Sequence, residues 1–167
     1  MLFRSLALKE DGTLRAWGDN SSGQLGNGDF LPGTDKAAPV RVKNLSGVKV
    51  VAAGGYHSLA LLSSGKVRSW GANLDGQLGN DRSGIDTARS TPASVFGLTN
   101  ARSISGDAYH SLAVLESGSA RSWGDNEYGQ LGNDNFGTDS DVPVVVRDLL
   151  DVKNIDGGYE FTLAVTG

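Results

Sequence analysis

The chain has 167 residues, 24 of them glycine, about twice the usual share, with 4 prolines and no cysteine. Its 38% apolar content and formal net charge of −4 exclude a disordered tract and withhold the sequence-independent attraction of phosphate backbones and anionic membranes, so neither nucleic acid nor membrane is an expected partner. The missing cysteines exclude disulfides, thiolate metal sites and a cysteine nucleophile.

In chain order, the opening MLFRSLAL is broken by Arg4 and Ser5 and is too short for a secretory leader. No segment reaches the roughly 20 apolar residues that span a bilayer, so the chain is expected in the cytoplasm. From Phe3 the phrase FRSLALKEDGTLRAWG runs into RAWGDNSSGQLGN at 15–27. It returns as YHSLALLSSGKVRSWG from Tyr56 into RSWGANLDGQLGN at 68–80, and as YHSLAVLESGSARSWG from Tyr109 into RSWGDNEYGQLGN at 121–133. Nine of the thirteen positions of that second phrase are identical in all three copies, and EFTLAVTG from Glu160 is a partial fourth copy of the first.

Trp17, Trp70 and Trp123 stand 53 residues apart, a period that marks a propeller or another array. Pro39 and Pro92, and Leu45 and Leu98, keep the same spacing, whereas Pro143 and Leu149 come two residues early, which places a deletion between Asn133 and Pro143. The repeat units are therefore roughly 3–55, 56–108 and 109–159, with a partial copy at 160–167. In the second unit the turn signals predict strands over Val48–Ala53, Ser58–Leu62, Val67–Trp70 and Ala93–Phe96, with Ser64-Gly65 as a tight turn. Nothing follows the 3.6-residue period of a helix, so the class is all-β.

The order Gly-rich corner, His-Ser, Ala-Leu strand, turn glycine, then Trp-Gly-x-Asn-x-x-Gly-Gln-Leu-Gly resembles the regulator of chromosome condensation repeat over essentially the whole chain. The resemblance implies a β-propeller with one blade of four antiparallel strands per repeat, about three blades here against the seven usual in the family. Members of that family include a nucleotide exchange factor, an ultraviolet receptor and a lactamase inhibitor, so fold alone does not choose a function. The alternative to a complete module is a natural or engineered fragment of a longer seven-bladed protein; many bacterial members of the family it resembles carry cysteines in the strands that here hold Leu59 and Ser69, and their absence points to design.

The tryptophans are expected to wedge neighbouring sheets together. Gly23, Gly76 and Gly129 occupy turns rather than a phosphate cradle, because the order is not G-x-G-x-x-G and no Walker lysine follows. Asn20, Asn73 and Asn126, with Gln24, Gln77 and Gln130, are expected to hydrogen-bond the turn backbone. His57 and His110 are each followed by serine, but consecutive strand residues face opposite sides, so neither engages its own neighbour as a base. Each is expected to be hydrogen-bonded within its sheet, and a hydrolase reading rests on these two residues alone. Asp134, Asn135, Asp139 and Asp141 do not reproduce a calcium loop. No cofactor or metal is expected. Arg15, Arg68 and Arg121 share the tryptophan face and are expected to stack on a ring or pair with a neighbouring carboxylate.

What varies between copies is the loop tips and the longer loops, represented by Ser22, Phe30, Asp75, Arg82, Tyr128 and Phe136. In a propeller such loops emerge on one rim, the expected recognition surface of a non-enzymatic protein-binding module. Three blades cannot close a ring of four to eight, so the open flanks are expected to be covered by a second copy in a six-bladed C2 homodimer. The fourth copy of the His-Ser type strand is surplus in that ring and is expected to swap, clasp the junction or compete with the strand at Phe3.

Overall fold

The computed structural model describes residues 4–167; Phe3, where the first copy of the repeat begins, lies outside the described residues with Met1 and Leu2. Every regular element described is a β-strand. Two complete four-stranded antiparallel sheets follow one another. The first contains β4 (Val48–Ala53), β5 (His57–Leu62), β6 (Val67–Gly71) and β7 (Arg89–Ser94), in that order. The second contains β8 (Ala101–Gly106), β9 (His110–Leu115), β10 (Ala120–Gly124) and β11 (Ser140–Val145). Before them lies a three-stranded sheet of β1 (Arg4–Leu8), β2 (Leu14–Gly18) and β3 (Lys36–Arg41), and after them a two-stranded sheet of β12 (Val152–Gly157) and β13 (Thr162–Thr166). By repeat position the leading sheet lacks a first strand, and the trailing sheet lacks its third and fourth.

The sheets stack face to face as propeller blades. Strand β5 shows why its apolar run is continuous: alternate side chains serve opposite neighbours. Leu59 and Leu61 pack with Ala113 and Trp123 of the following blade, while Ala60 packs with Leu14, Ala16, Leu25 and Trp70 on the preceding side. Leu112 and Val114 of β9 repeat the arrangement against Val152 and Ile155 of the last sheet. The core is thus three separate inter-blade layers.

The outermost strand is where the sequence expectation fails. β7 spans Arg89–Ser94, not Ala93–Phe96, so Pro92 lies inside it and not at its start. A proline is tolerated there because β7 is the sheet edge and the β6–β7 register shifts between Ser69 and Gly71, leaving no ladder bond for a missing N–H to break. Pro39 and Pro143 sit likewise inside β3 and β11.

Candidate functional site

The thrice-written phrase builds a corner and, on that corner, a socket for the next blade. Asn73 locks the corner: its side-chain oxygen accepts from Leu78 N–H at 2.9 Å, and its amide donates to Arg82 O at 2.7 Å. Asn20 and Asn126 do the same through Leu25 and Leu131, both at 3.0 Å. The glutamine side chains close the loop tips, with Ser22, Asp75 and Tyr128 N–H donating to Gln24, Gln77 and Gln130 Oε1 at 2.8, 3.0 and 2.9 Å. With the tip fixed, the glutamine backbone carbonyl points at the following blade. Gln24 O accepts from Ser58 Oγ (2.8 Å) and Trp70 Nε1 (2.9 Å), and Gln77 O from Ser111 Oγ (2.8 Å) and Trp123 Nε1 (3.0 Å).

Both indoles are fully buried, and each lies against the last glycine of the preceding phrase. A Cβ on Gly79 would stand 2.7 Å from Trp123, and one on Gly26 2.7 Å from Trp70 Nε1. Glycine is required there for close approach as well as for its positive φ. Among the described residues the first and last copies differ. Trp17 is half-buried, there being no earlier described corner to receive it. Gln130 O accepts from Thr162 Oγ1 at 3.1 Å, and Gly132 meets Val146 with no indole against it.

The histidines belong to the same joint. His57 is not bonded within its own sheet, as the sequence suggested; its Nε2 lies 2.7 Å from Ser111 Oγ of the next blade. His110 Nε2 lies 2.9 Å from Thr162 Oγ1 in the last sheet, and Arg4 donates to Ser58 Oγ at 2.8 Å. Each hydroxyl already donates its proton to a glutamine carbonyl, so it accepts from the imidazole, which is the opposite polarity to a general base acting on a nucleophile. His57 is therefore the Nε2–H tautomer, and its buried Nδ1 has no partner among the described residues. Burial, then the nearby Arg4 and His110, holds its pKa down to about 3. His110 differs: its Nδ1 lies 2.6 Å from Oδ2 of the buried Asp107.

The side chains of Arg68 and Arg121 are used differently from the sequence expectation. Arg68 donates to Ser94 Oγ and Arg121 to Ala120 O, and among the described residues neither they nor Arg15 stacks on a ring or meets a carboxylate. Among the described residues no cluster of three or more His, Asp or Glu side chains converges as a metal site. Asp134 pairs with Arg147 Nε at 3.0 Å, and Asp139 accepts from Asn126 N–H at 2.9 Å.

The variable loops 19–35, 72–88 and 125–139 connect the third and fourth strands of their sheets, so they leave at the same end as the corners at 54–56, 107–109 and 158–161 between first and second strands. Phe30 (45% exposed), Tyr128 (57%) and Phe136 (76%) stand out from that rim, Arg82 is exposed, and Ser22 is half-buried at its tip. Asp75 is turned inward against Gln77. Burial, then Asp139 and Asp125, raises its pKa above the ordinary carboxylate value. No described helix is long and apolar enough to cross a membrane.

A succession of such sheets, the complete ones sealed to the sheet before through an indole and a hydroxyl, defines a repeat propeller. Residues 11–61, 64–114 and 117–165 match the family described as "Regulator of chromosome condensation (RCC1) repeat", and the chain belongs to that family. It is 38% identical over 167 residues to the human "Probable E3 ubiquitin-protein ligase HERC6", covering 97% of this chain and 16% of that protein. To the Arabidopsis thaliana mitochondrial RCC1 domain-containing protein RUG3 it is 36% identical over 151 residues, covering 88% of this chain and 33% of the relative. Prp20p of Saccharomyces cerevisiae superposes with a TM-score of 0.85 at 27% identity over 96% of this chain and 41% of that one. Human WBSCR16 superposes at 0.86 and 26% over 98% and 42%. The chain spans about a sixth of the length of HERC6 and about two-fifths of these structures.

Proposed function

We propose that this chain is a non-enzymatic propeller segment that binds protein in two ways: its flanks take further blades of its own kind, and its loop rim takes a partner. The observation that carries the first is reciprocity. Trp17 is half-buried on the leading sheet, and the Gln130 corner on the last complete sheet holds one hydroxyl where the two earlier corners each hold a hydroxyl and an indole. The knob and the hole are copies of a joint made twice inside the chain, so they fit each other. In a longer propeller, neighbouring blades of the same polypeptide make this joint. For the 167-residue chain by itself a second copy makes it.

In that dimer β12 supplies the first strand that the partner's leading sheet lacks. The partner's β1–β3 then complete one four-stranded blade, β13 gives up its place to the partner's β1, and two chains close six blades under two-fold symmetry. Burying the half-buried Trp17 in the partner's Gln130 corner supplies the drive. The experiment is the molar mass of the chain in solution, with Trp17→Ala alongside: a dimer that becomes a monomer in the variant supports the joint.

The rim reading draws on kinship. Prp20p is described by its binding to Gsp1p and histones, and yeast RCC1 (Prp20) has been solved bound by Kap60. For this chain Ser22, Phe30, Asp75, Arg82, Tyr128 and Phe136 mark the loops that would carry recognition. Shortening loops 19–35, 72–88 and 125–139 to their Asn-x-x-Gly-Gln-Leu-Gly corners is expected to leave assembly intact and remove partner binding.

A further inference from the structure

The rim surrounds a hollow that the blade joints do not use. Three tyrosines from three successive corners line it: Tyr56 and Tyr109, at the same repeat position, stack at 5.7 Å between centroids, and Tyr159, one place before the Glu160 that holds that position in the last copy, meets Tyr109 edge-on at 6.1 Å. The space is about 340 Å³, floored by Gly54, Gly55, Gly157 and Gly158. Gly54 and Gly55 are bare because the corner of the next blade touches them with its backbone, a Cβ on Gly55 running into Ala108 O, whereas Gly157 and Gly158 lie against the side chains of Asp107 and Phe161. Asp107, 6% exposed, is in the wall and turned to His110. The Tyr159 hydroxyl, with burial behind it, pushes the Tyr109 pKa up to about 12, so the ring stays a neutral π-face.

The long loops are tied to this hollow, since Ala72 N–H donates to Tyr56 O (2.9 Å) and Asp125 N–H to Tyr109 O (3.1 Å). Their charge is one-sided. Loops 19–35, 72–88 and 125–139 hold ten Asp and Glu against one cation, Arg82, a net of −9; the other nine carboxylates and fourteen Lys and Arg of the chain net +5, which leaves its −4. Lys36 and Arg147 pair with only two of the ten, Asp29 and Asp134. Between the carboxylates stand apolar side chains that the fold leaves out, Ile85 at 83% and Phe136 at 76% exposure among them. An acidic surface repels an acidic or nucleic-acid ligand and favours a cationic one, while exposed aliphatic and aromatic groups favour a ligand that is itself partly apolar.

We propose that the tyrosine hollow and the loop rim seat a lysine- and arginine-rich segment of a partner protein, with apolar residues interleaved and one cationic side chain entering among Tyr56, Tyr109 and Tyr159. This rests on the reading of the rim as the recognition surface and names the chemistry of what it recognises. The faces of the stacked tyrosines hold the guanidinium or ammonium. The surrounding loop carboxylates set its orientation and speed its arrival, and Ile85 and Phe136 cover the interleaved apolar residues.

Amide chemical-shift mapping on the 167-residue chain tests it with three synthetic peptides of about fifteen residues: Lys/Arg alternating with Leu/Phe, the same peptide with Glu/Asp for the cations, and a lysine-only peptide. The basic apolar peptide is expected to shift Tyr56, Tyr109, Gly157 and the loop amides, and to bind more tightly than the lysine-only peptide. Its binding should weaken several-fold between about 0.05 and about 0.2 M salt. Tyr109→Ala should weaken it about tenfold, and the triple variant D81N, D86N, E127Q at least about fivefold. Asp81 and Asp86 have φ of 62° and 66°, which asparagine also adopts, so the triple variant keeps its loops. Equal binding of the acidic peptide, shifts confined to the opposite edge, or unchanged binding in the triple variant would overturn the basic partner. An acidic peptide that alone maps to the rim would do so while sparing the rim's recognition role; no mapping there by any of the three would overturn both.

Discussion

His57 turns a packing joint into a pH dependence. In the unfolded chain its imidazole titrates near the ordinary 6.5, whereas in the folded joint it is held neutral down to about 3. As the pH falls below 6.5 the unfolded state binds a proton that the folded state refuses, so the stability present above 6.5 is lost progressively toward 3. The loss from this residue is about 2 kcal/mol by about pH 5. Urea midpoints at about pH 7 and about pH 5 check it: the drop should be larger in the wild type than in His57→Gln, and equal drops would contradict the assignment. Glycine supplies a second test at this scale. Gly79 and Gly84 both have positive φ, but a Cβ on Gly79 meets Trp123 at 2.7 Å whereas one on Gly84 meets nothing within 4 Å. Gly84→Ala should cost about 1 kcal/mol, the left-handed penalty alone, and Gly79→Ala about 2–4 kcal/mol, with overpacking added. Denaturant titration ranks them, and equal costs would mean the indole does not rest on that backbone.

Among the elements, β13 and β1 hold the same place in the repeat, and the dimer needs only one of them at each junction. Removing residues 160–167 should therefore tighten self-association, read as a lower dissociation constant in sedimentation; weaker association would assign β13 a clasping role. The strands also show what was legible in the sequence. The period gave the sheets, the Trp-Gly phrase gave the third strand, and the Asn and Gln side chains announced the locked corner, because each depends on contacts within a few residues. β7 was misplaced because a proline inside a strand reads as a boundary until the strand is known to be an edge. The His57–Ser111 and Trp123–Gln77 bonds span 54 and 46 residues, and no local pattern says that a carbonyl belongs to the next sheet's indole. A signal was present nonetheless: tryptophan, serine and the Gly-Gln-Leu-Gly phrase recur in fixed step, as the two halves of a joint must. The tyrosine hollow was hidden for the same reason, its three rings coming from three different sheets.

Across the whole molecule, stability is a sum over neighbouring blades, each pair sealed by one apolar layer and one glutamine carbonyl. Trp70→Ala breaks a sealed pair and should cost about 3–5 kcal/mol. Trp17→Ala should cost a single chain much less, since that ring is half-buried, yet should abolish the contact between chains. Sedimentation equilibrium on the wild type and Trp17→Ala tests this most directly. The prediction is twice the mass of one chain for the wild type and a folded single chain for the variant. A wild type that stays a folded monomer at all concentrations, or a variant that dimerises as well as the wild type, would contradict it.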